Sequence, residues 1–393
     1  MTGRKIIPVS HPVLAGNEKR YVLECLETGW ISSIGRFISL FEDAFARYCE
    51  VPWAIACSNG TTALHLALAG LGTGPGDEVI VPTLTYVATA NAVRYCGAQP
   101  VFADSEPCTM AIDPARIEER ITPRTKGIVV VHLYGHPADM DPILEIARKH
   151  GLFVVEDAAE AHGALYRERK VGSLGNVATF SFYGNKIVTT GEGGMLTTGD
   201  ADLSRRIRIL RGQGMDPERR YWFPVVGYNY RMTNIAAAIG LAQMEQIDGF
   251  VEKRLQIACH YRRKLESLAD FIDLPGEQPW ARHAFWSYVV VLRESVGLGR
   301  DQLMKRLEGD AIETRPVFHC MHVLPPYCEP DGRYPVADRI SNRGISLPMH
   351  GLLTEEDVSY IAERLGYWCQ HAGGPPAQND DPWSAPPSSA AAP

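Results

Sequence analysis

Along the first half of the chain, short uninterrupted apolar runs alternate with segments in which apolar residues recur every three or four positions. The runs are DEVIVP (77–82), QPVFAD (99–104), KGIVVVHLYG (126–135), GLFVVED (151–157) and VATFSFY (177–183). A strand apolar on both faces belongs to a sheet covered on both sides, so these runs predict a mostly parallel sheet in an α/β fold. The periodic segments predict helices at roughly 61–71, 86–96, 139–150 and 201–212. From about residue 249 the pattern changes to a long helical segment, FVEKRLQIACHYRRKLESLAD, then strand-like HAFWSYVVVL and a further helix near 301–308. The expected organisation is a large α/β domain over 1–248 with an N-terminal arm, and a smaller α+β domain over 249–370. Residues 371–393, rich in Pro, Ala and Ser, have little to bury and are expected to form a disordered tail.

Composition narrows the function classes. A formal charge of -7 on 393 residues gives no basic face for nucleic acid, so any phosphate must be gripped locally. The nine cysteines include no C-x-x-C pair and no repeated ligand spacing, which predicts neither a metal site nor a disulfide framework and fits reduced cytosolic thiols. The opening MTGRKIIPVSHPVL lacks an apolar signal core, and no later run approaches a membrane span. A soluble, cytoplasmic protein is expected.

The candidate chemistry sits where strands end, because ligands of open α/β sheets bind outside the carboxyl ends of the strands. GLFVV ends in Glu156-Asp157, and VATFSFY exits into Gly184-Asn185-Lys186. A buried carboxylate needs a partner, and a pyridinium nitrogen facing Asp157 would be one. An electron-sink ring held between that acid and the amine of Lys186 is what pyridoxal 5'-phosphate (PLP) chemistry requires. Ser58-Asn59-Gly60-Thr61 opens a strongly periodic helix, and a helix N-terminus with free N–H groups is an anion site suited to the phosphate. Ser181 can add a hydroxyl, and Tyr86, just after another strand, can lie on the ring. Gly191, Gly193 and Gly194 either clear space for a moving lysine or serve a tight turn. GLGTGPG (70–76) follows a helix and precedes a strand, so it reads as a turn rather than a dinucleotide site.

Taken together, EDAAEAHGA, SFYGNK with GEGGM, SNGTTALHLAL and GYNYRMTNIAAAIGLAQ resemble the DegT/DnrJ/EryC1/StrS sugar aminotransferases from about residue 10 to 366. The resemblance implies PLP-dependent transferase fold type I, with a mostly parallel seven-stranded sheet in the large domain. It makes Lys186 the Schiff-base lysine, Asp157 the pyridinium partner, Gly60, Thr61 and Ser181 phosphate ligands, and Tyr86 the stacking aromatic. Glu160 matches a position near the ring hydroxyl. Asn229 matches an asparagine that reaches the phosphate of the neighbouring subunit, implying a homodimer with shared active sites. The implied reaction moves the amino group of L-glutamate to a nucleotide-linked keto-deoxysugar. RGQGMDPERRYWFPVVGYNYRMTN and IETRPVFHCMHVLPPY look most like members that aminate C4 of GDP-4-keto-6-deoxymannose. Amination at C3, a dTDP- or UDP-linked sugar, and a non-catalytic regulator of the same fold are the alternatives. Arg219, Arg220, Arg231 and Arg315 are candidates for anion contacts, and His319 and His322 for the sugar pocket. Ile34 and Arg36 depart from the family pattern.

Overall fold

A computed structural model describes residues 6–329 and 333–371; apart from His371, the expected tail lies outside the described residues. Seven strands form one sheet in the spatial order Trp53–Cys57, Gly194–Thr198, Val177–Ser181, Phe153–Asp157, Thr125–Val131, Glu78–Pro82 and Gln99–Ala103. Only Gly194–Thr198 runs against the others. The sheet is therefore mostly parallel, as the continuous apolar runs require, and its interior strands are buried on both faces. Helices Gly60–Gly70, Ala88–Tyr95, Met140–His150 and Ala201–Arg211 fall close to their predicted spans.

The sequence pattern misses two strands. Trp53–Cys57 (WAIAC) is built largely from small residues, and Gly194–Thr198 opens on a glycine, so neither carries the β-branched signal that marks the other strands. It also does not mark the helices Glu18–Thr28 and Arg36–Tyr48, which pack on Asn234–Met244. GLGTGPG is a turn, with Gly72 and Gly76 at φ values of 81° and 92° that favour glycine.

A second, four-stranded antiparallel sheet has the order Ile272–Asp273, Tyr288–Leu292, Gly344–Leu347 and Arg315–Pro316. It shares a core with the helices Ile247–Leu265, Arg300–Gly309 and Glu355–Gln370. The start of the chain joins this unit: Ile7 bridges Ile312 and lies in the same core. Among the described residues, no helix is long and apolar enough to cross a membrane.

Candidate active site

Parallel connectivity brings the carboxyl ends of Trp53–Cys57, Val177–Ser181, Phe153–Asp157, Thr125–Val131 and Glu78–Pro82 to one edge of the sheet. A cavity of about 550 Å³ opens there, of a size suited to a cofactor and part of a substrate. Its walls include Gly60, Thr61, Tyr86, Asp157, Glu160, Ser181 and Lys186, which lie as far apart in sequence as 60 and 186.

Asp157 is the last residue of its strand and is buried. Its Oδ2 accepts from Thr89 Oγ1 at 2.8 Å and its Oδ1 from the Ala159 N–H at 3.3 Å. Burial pushes its carboxyl above the usual range, against the opposing effect of the Thr89 hydroxyl. Two neutral donors under-compensate a buried carboxylate, and a cation facing it would complete the site. Glu160, equally buried, is also raised by burial, with Lys186 acting in the opposite direction. Its Oε2 accepts from the Tyr134 N–H at 2.8 Å, and its Oε1 lies 3.4 Å from Lys186 Nζ.

At the opposite wall, Asn59 caps helix Gly60–Gly70 through a capping box with Thr62. That box occupies the Thr62 N–H and leaves Gly60 and Thr61, the first two residues of the helix, without a partner from a preceding turn. Ser181 closes against this end so tightly that a Cβ on Gly60 would stand 2.8 Å from the Ser181 Cβ. Two helical N–H groups beside a hydroxyl make a concave anion cradle.

Of the glycines after the lysine, Gly191 serves a turn at positive φ with open space around it, and Gly193 and Gly194 serve close packing. Gly191 has φ 80°, a Cβ on Gly193 would meet Thr190 Oγ1 at 2.2 Å, and one on Gly194 would meet the Asn59 carbonyl oxygen at 2.3 Å. None of these nearest atoms belongs to Lys186. Gly194→Ala is accordingly expected to push Asn59 off its cap, destabilising the fold by about 1–3 kcal/mol and weakening cofactor binding, as thermal unfolding and a PLP titration would measure.

The remaining candidates separate. Arg315 lines the cavity, with its guanidinium 3.4 Å from Glu313. His322 is buried away from the cavity, between Thr83 Oγ1 at 2.7 Å and Asp338 Oδ1 at 3.1 Å, while His319 is exposed. Arg219 and Arg220 lie over the rings of Trp222 and Tyr221 rather than on the cavity wall. Ile34 is exposed and Arg36 pairs with Glu24 at 2.6 Å, so neither shapes this wall. Asn229 is exposed and bonded to Arg231 at 3.1 Å, outside the cavity lining. Sequence reasoning missed Thr89, Tyr134 and Trp286. Trp286 donates its indole N–H to the Asn185 carbonyl at 2.8 Å, yet in the sequence it is one apolar residue in a strand-like run.

The family model described as the DegT/DnrJ/EryC1/StrS aminotransferase family matches residues 12–366. The chain belongs to that family. Among its relatives in the DegT/DnrJ/EryC1/StrS family is the GDP-perosamine synthase of Caulobacter vibrioides, 57% identical over 91% of this chain and 97% of the relative. The GDP-perosamine synthase of Escherichia coli O157:H7 is 48% identical over 92% of this chain and 98% of the relative. The crystal structure of S. venezuelae DesV in complex with a ketimine intermediate superposes with a TM-score of 0.85 at 36% identity, covering 90% of this chain and 94% of DesV. The fold is thus that of the PLP-dependent sugar aminotransferases, and the chain is an enzyme of that class.

Proposed function

We propose that the protein transfers the amino group of L-glutamate to C4 of GDP-4-keto-6-deoxy-D-mannose, yielding GDP-perosamine and 2-oxoglutarate, with pyridoxal 5'-phosphate as its resident cofactor. The observation that carries the reading is the 57% identity to a GDP-perosamine synthase over nearly its whole length, joined to a cavity that gathers an amine, a buried acid and an anion cradle. When bound, the cofactor supplies an electron sink that carries nitrogen from one substrate to the other.

The chain's own groups have separable tasks. The N–H groups of Gly60 and Thr61 and the hydroxyl of Ser181 bind the phosphate. Asp157 would keep a proton on the ring nitrogen, with Thr89 fixing the carboxylate for that task. Tyr86, 57% exposed at the cavity mouth, is free to lie against the ring. Glu160 would face the ring hydroxyl. Lys186 Nζ would hold the cofactor covalently; once released, it would act as the base that removes the proton at Cα of the donor, pass that proton to the cofactor, and in the second half-reaction run the same transfer in reverse to protonate the sugar carbon.

The active unit is a homodimer of cytoplasmic chains, with Asn229 serving the neighbouring subunit's phosphate. Its exposure outside this chain's own cavity supports that role, as do the exposed apolar side chains Leu26, Trp30, Ile34, Trp222 and Phe223. The large unit takes the chain up to about 248, apart from the N-terminal arm at Ile7 that joins the small unit, which runs over 249–370.

Incubating the purified enzyme with L-glutamate and GDP-4-keto-6-deoxymannose, then locating the new nitrogen by NMR, tests the substrate. Nitrogen at C4 is expected. Amination at C3, or turnover only with dTDP- or UDP-linked ketosugars, would overturn the assignment.

A further inference from the structure

The side chain of Lys186 ends in a closed ring of contacts. Its Nζ stands 3.9 Å from the ring centroid of Trp286 and 3.4 Å from Glu160 Oε1. The Trp286 indole N–H is fixed to the carbonyl of Asn185, the residue preceding the lysine. Glu160 is held in turn by the N–H of Tyr134, a buried residue at φ 56°, and the Tyr134 ring lies parallel to Trp286 at 6.1 Å. A non-glycine residue at positive φ is strained and persists where its surroundings demand it. From behind, the buried Arg254 guanidinium donates to the carbonyls of Phe285 and Trp286 at 3.2 and 3.1 Å, fixing the strand entry that carries the indole.

We propose that Trp286 and Glu160 form a resting cradle for the ammonium of Lys186, occupied whenever Nζ carries no covalent bond. Trp286 is the positioning residue. The idea rests on Lys186 being the cofactor-bearing lysine, and it adds where that side chain waits between its two tasks.

The face of an indole attracts a cation and not a neutral amine, and the attraction grows where water is excluded. The Lys186 side chain is only 11% exposed, so little water competes for it. The indole face and the Glu160 carboxylate therefore hold the ammonium in one place. A free lysine loses rotamer entropy when it is immobilised, so without such a site it would sample many positions. Because the indole is bonded to the carbonyl of Asn185, directly before the lysine, the cradle keeps its place relative to Lys186 if the cavity widens for a substrate.

The test uses the cofactor-free full-length chain, so activity of the loaded enzyme is not the readout. Protein carrying 5-fluorotryptophan gives a Trp286 fluorine resonance assigned through Trp286→Phe. Lys186→Met is expected to move that resonance, and replacing the exposed Lys126 with Met is expected to leave it in place. Competitive acetylation with peptide mapping then reports the free-amine reactivity of Lys186. Trp286→Leu and Glu160→Gln are each expected to speed labelling about tenfold at fixed pH, whereas Trp286→Phe, which keeps an aromatic face, stays within about threefold of wild type. A Trp286 resonance indifferent to Lys186→Met, or labelling unchanged in Glu160→Gln, overturns the cradle; a purely steric role for Trp286 predicts the latter. Should Trp286→Leu fail to fold, the fluorine shift and the Glu160→Gln rate still decide. Formation of a reduced cofactor adduct at Lys186 is a separate measurement, so the cradle can fail while the assignment of the lysine stands.

Discussion

Lys186→Ala is expected to lower kcat by on the order of 10⁴ or more, because under the proposed roles one side chain would both hold the cofactor and move the proton. The variant should nevertheless fold, with an unchanged far-UV circular dichroism spectrum. It should also still bind the cofactor noncovalently, since Gly60, Thr61, Ser181 and Asp157 lie on other elements of the cavity wall. Glutamate should then fail to drive the full cycle of visible absorbance changes seen in wild type. Turnover within tenfold of wild type would remove Lys186 from the chemistry.

The second large effect belongs to Asp157. Asp157→Asn keeps an acceptor for the Thr89 hydroxyl but can no longer oppose a ring cation, and a loss of roughly 10²–10³ in kcat/KM is expected. Its effect on the cofactor-free fold should have the opposite sign. Burial raises this carboxyl from 3.8, so the folded chain retains a proton at pH values where the unfolded chain has released it. The stability associated with that proton is fully present below the unfolded value and is lost as pH rises through the folded one. Asparagine removes the dependence and is expected to stabilise the cofactor-free protein at pH 7 by roughly 1–2 kcal/mol. Thermal unfolding of the two forms across pH 4 to 8 checks this; an Asn variant less stable than wild type at pH 7 would show that the buried carboxylate is already well paired. Saturating cofactor should reverse the order, because only the carboxylate gains a partner.

The large sheet was legible because each of its central strands is apolar on both faces, and such runs stand out as continuous valine and isoleucine. Trp53–Cys57 and Gly194–Thr198 were not, since WAIAC is rich in alanine and GMLTT opens on a glycine that packs against Asn59, so neither reads as a continuous valine and isoleucine run. Lys186, Asp157 and Ser181 could be singled out because each lies toward the end of a predicted strand, the location that topology assigns to ligands, whereas Gly60 was marked only by the periodic helix it opens. His322 illustrates the limit of that logic: a histidine in an irregular segment gives no sign that Thr83 and Asp338 hold it away from the cavity. Trp286 and Tyr134 were hidden for a related reason. Their roles depend on ring orientation and on a positive φ, which arise from packing between the two sheets and leave no periodic trace.

The account depends on a covalent bond between Lys186 Nζ and the aldehyde of pyridoxal 5'-phosphate, and the most direct test is borohydride reduction of cofactor-saturated protein followed by peptide mass mapping. A pyridoxyl-phosphate mass added at Lys186 is the predicted result. An unmodified Lys186 peptide in fully saturated, reduced material would contradict the account.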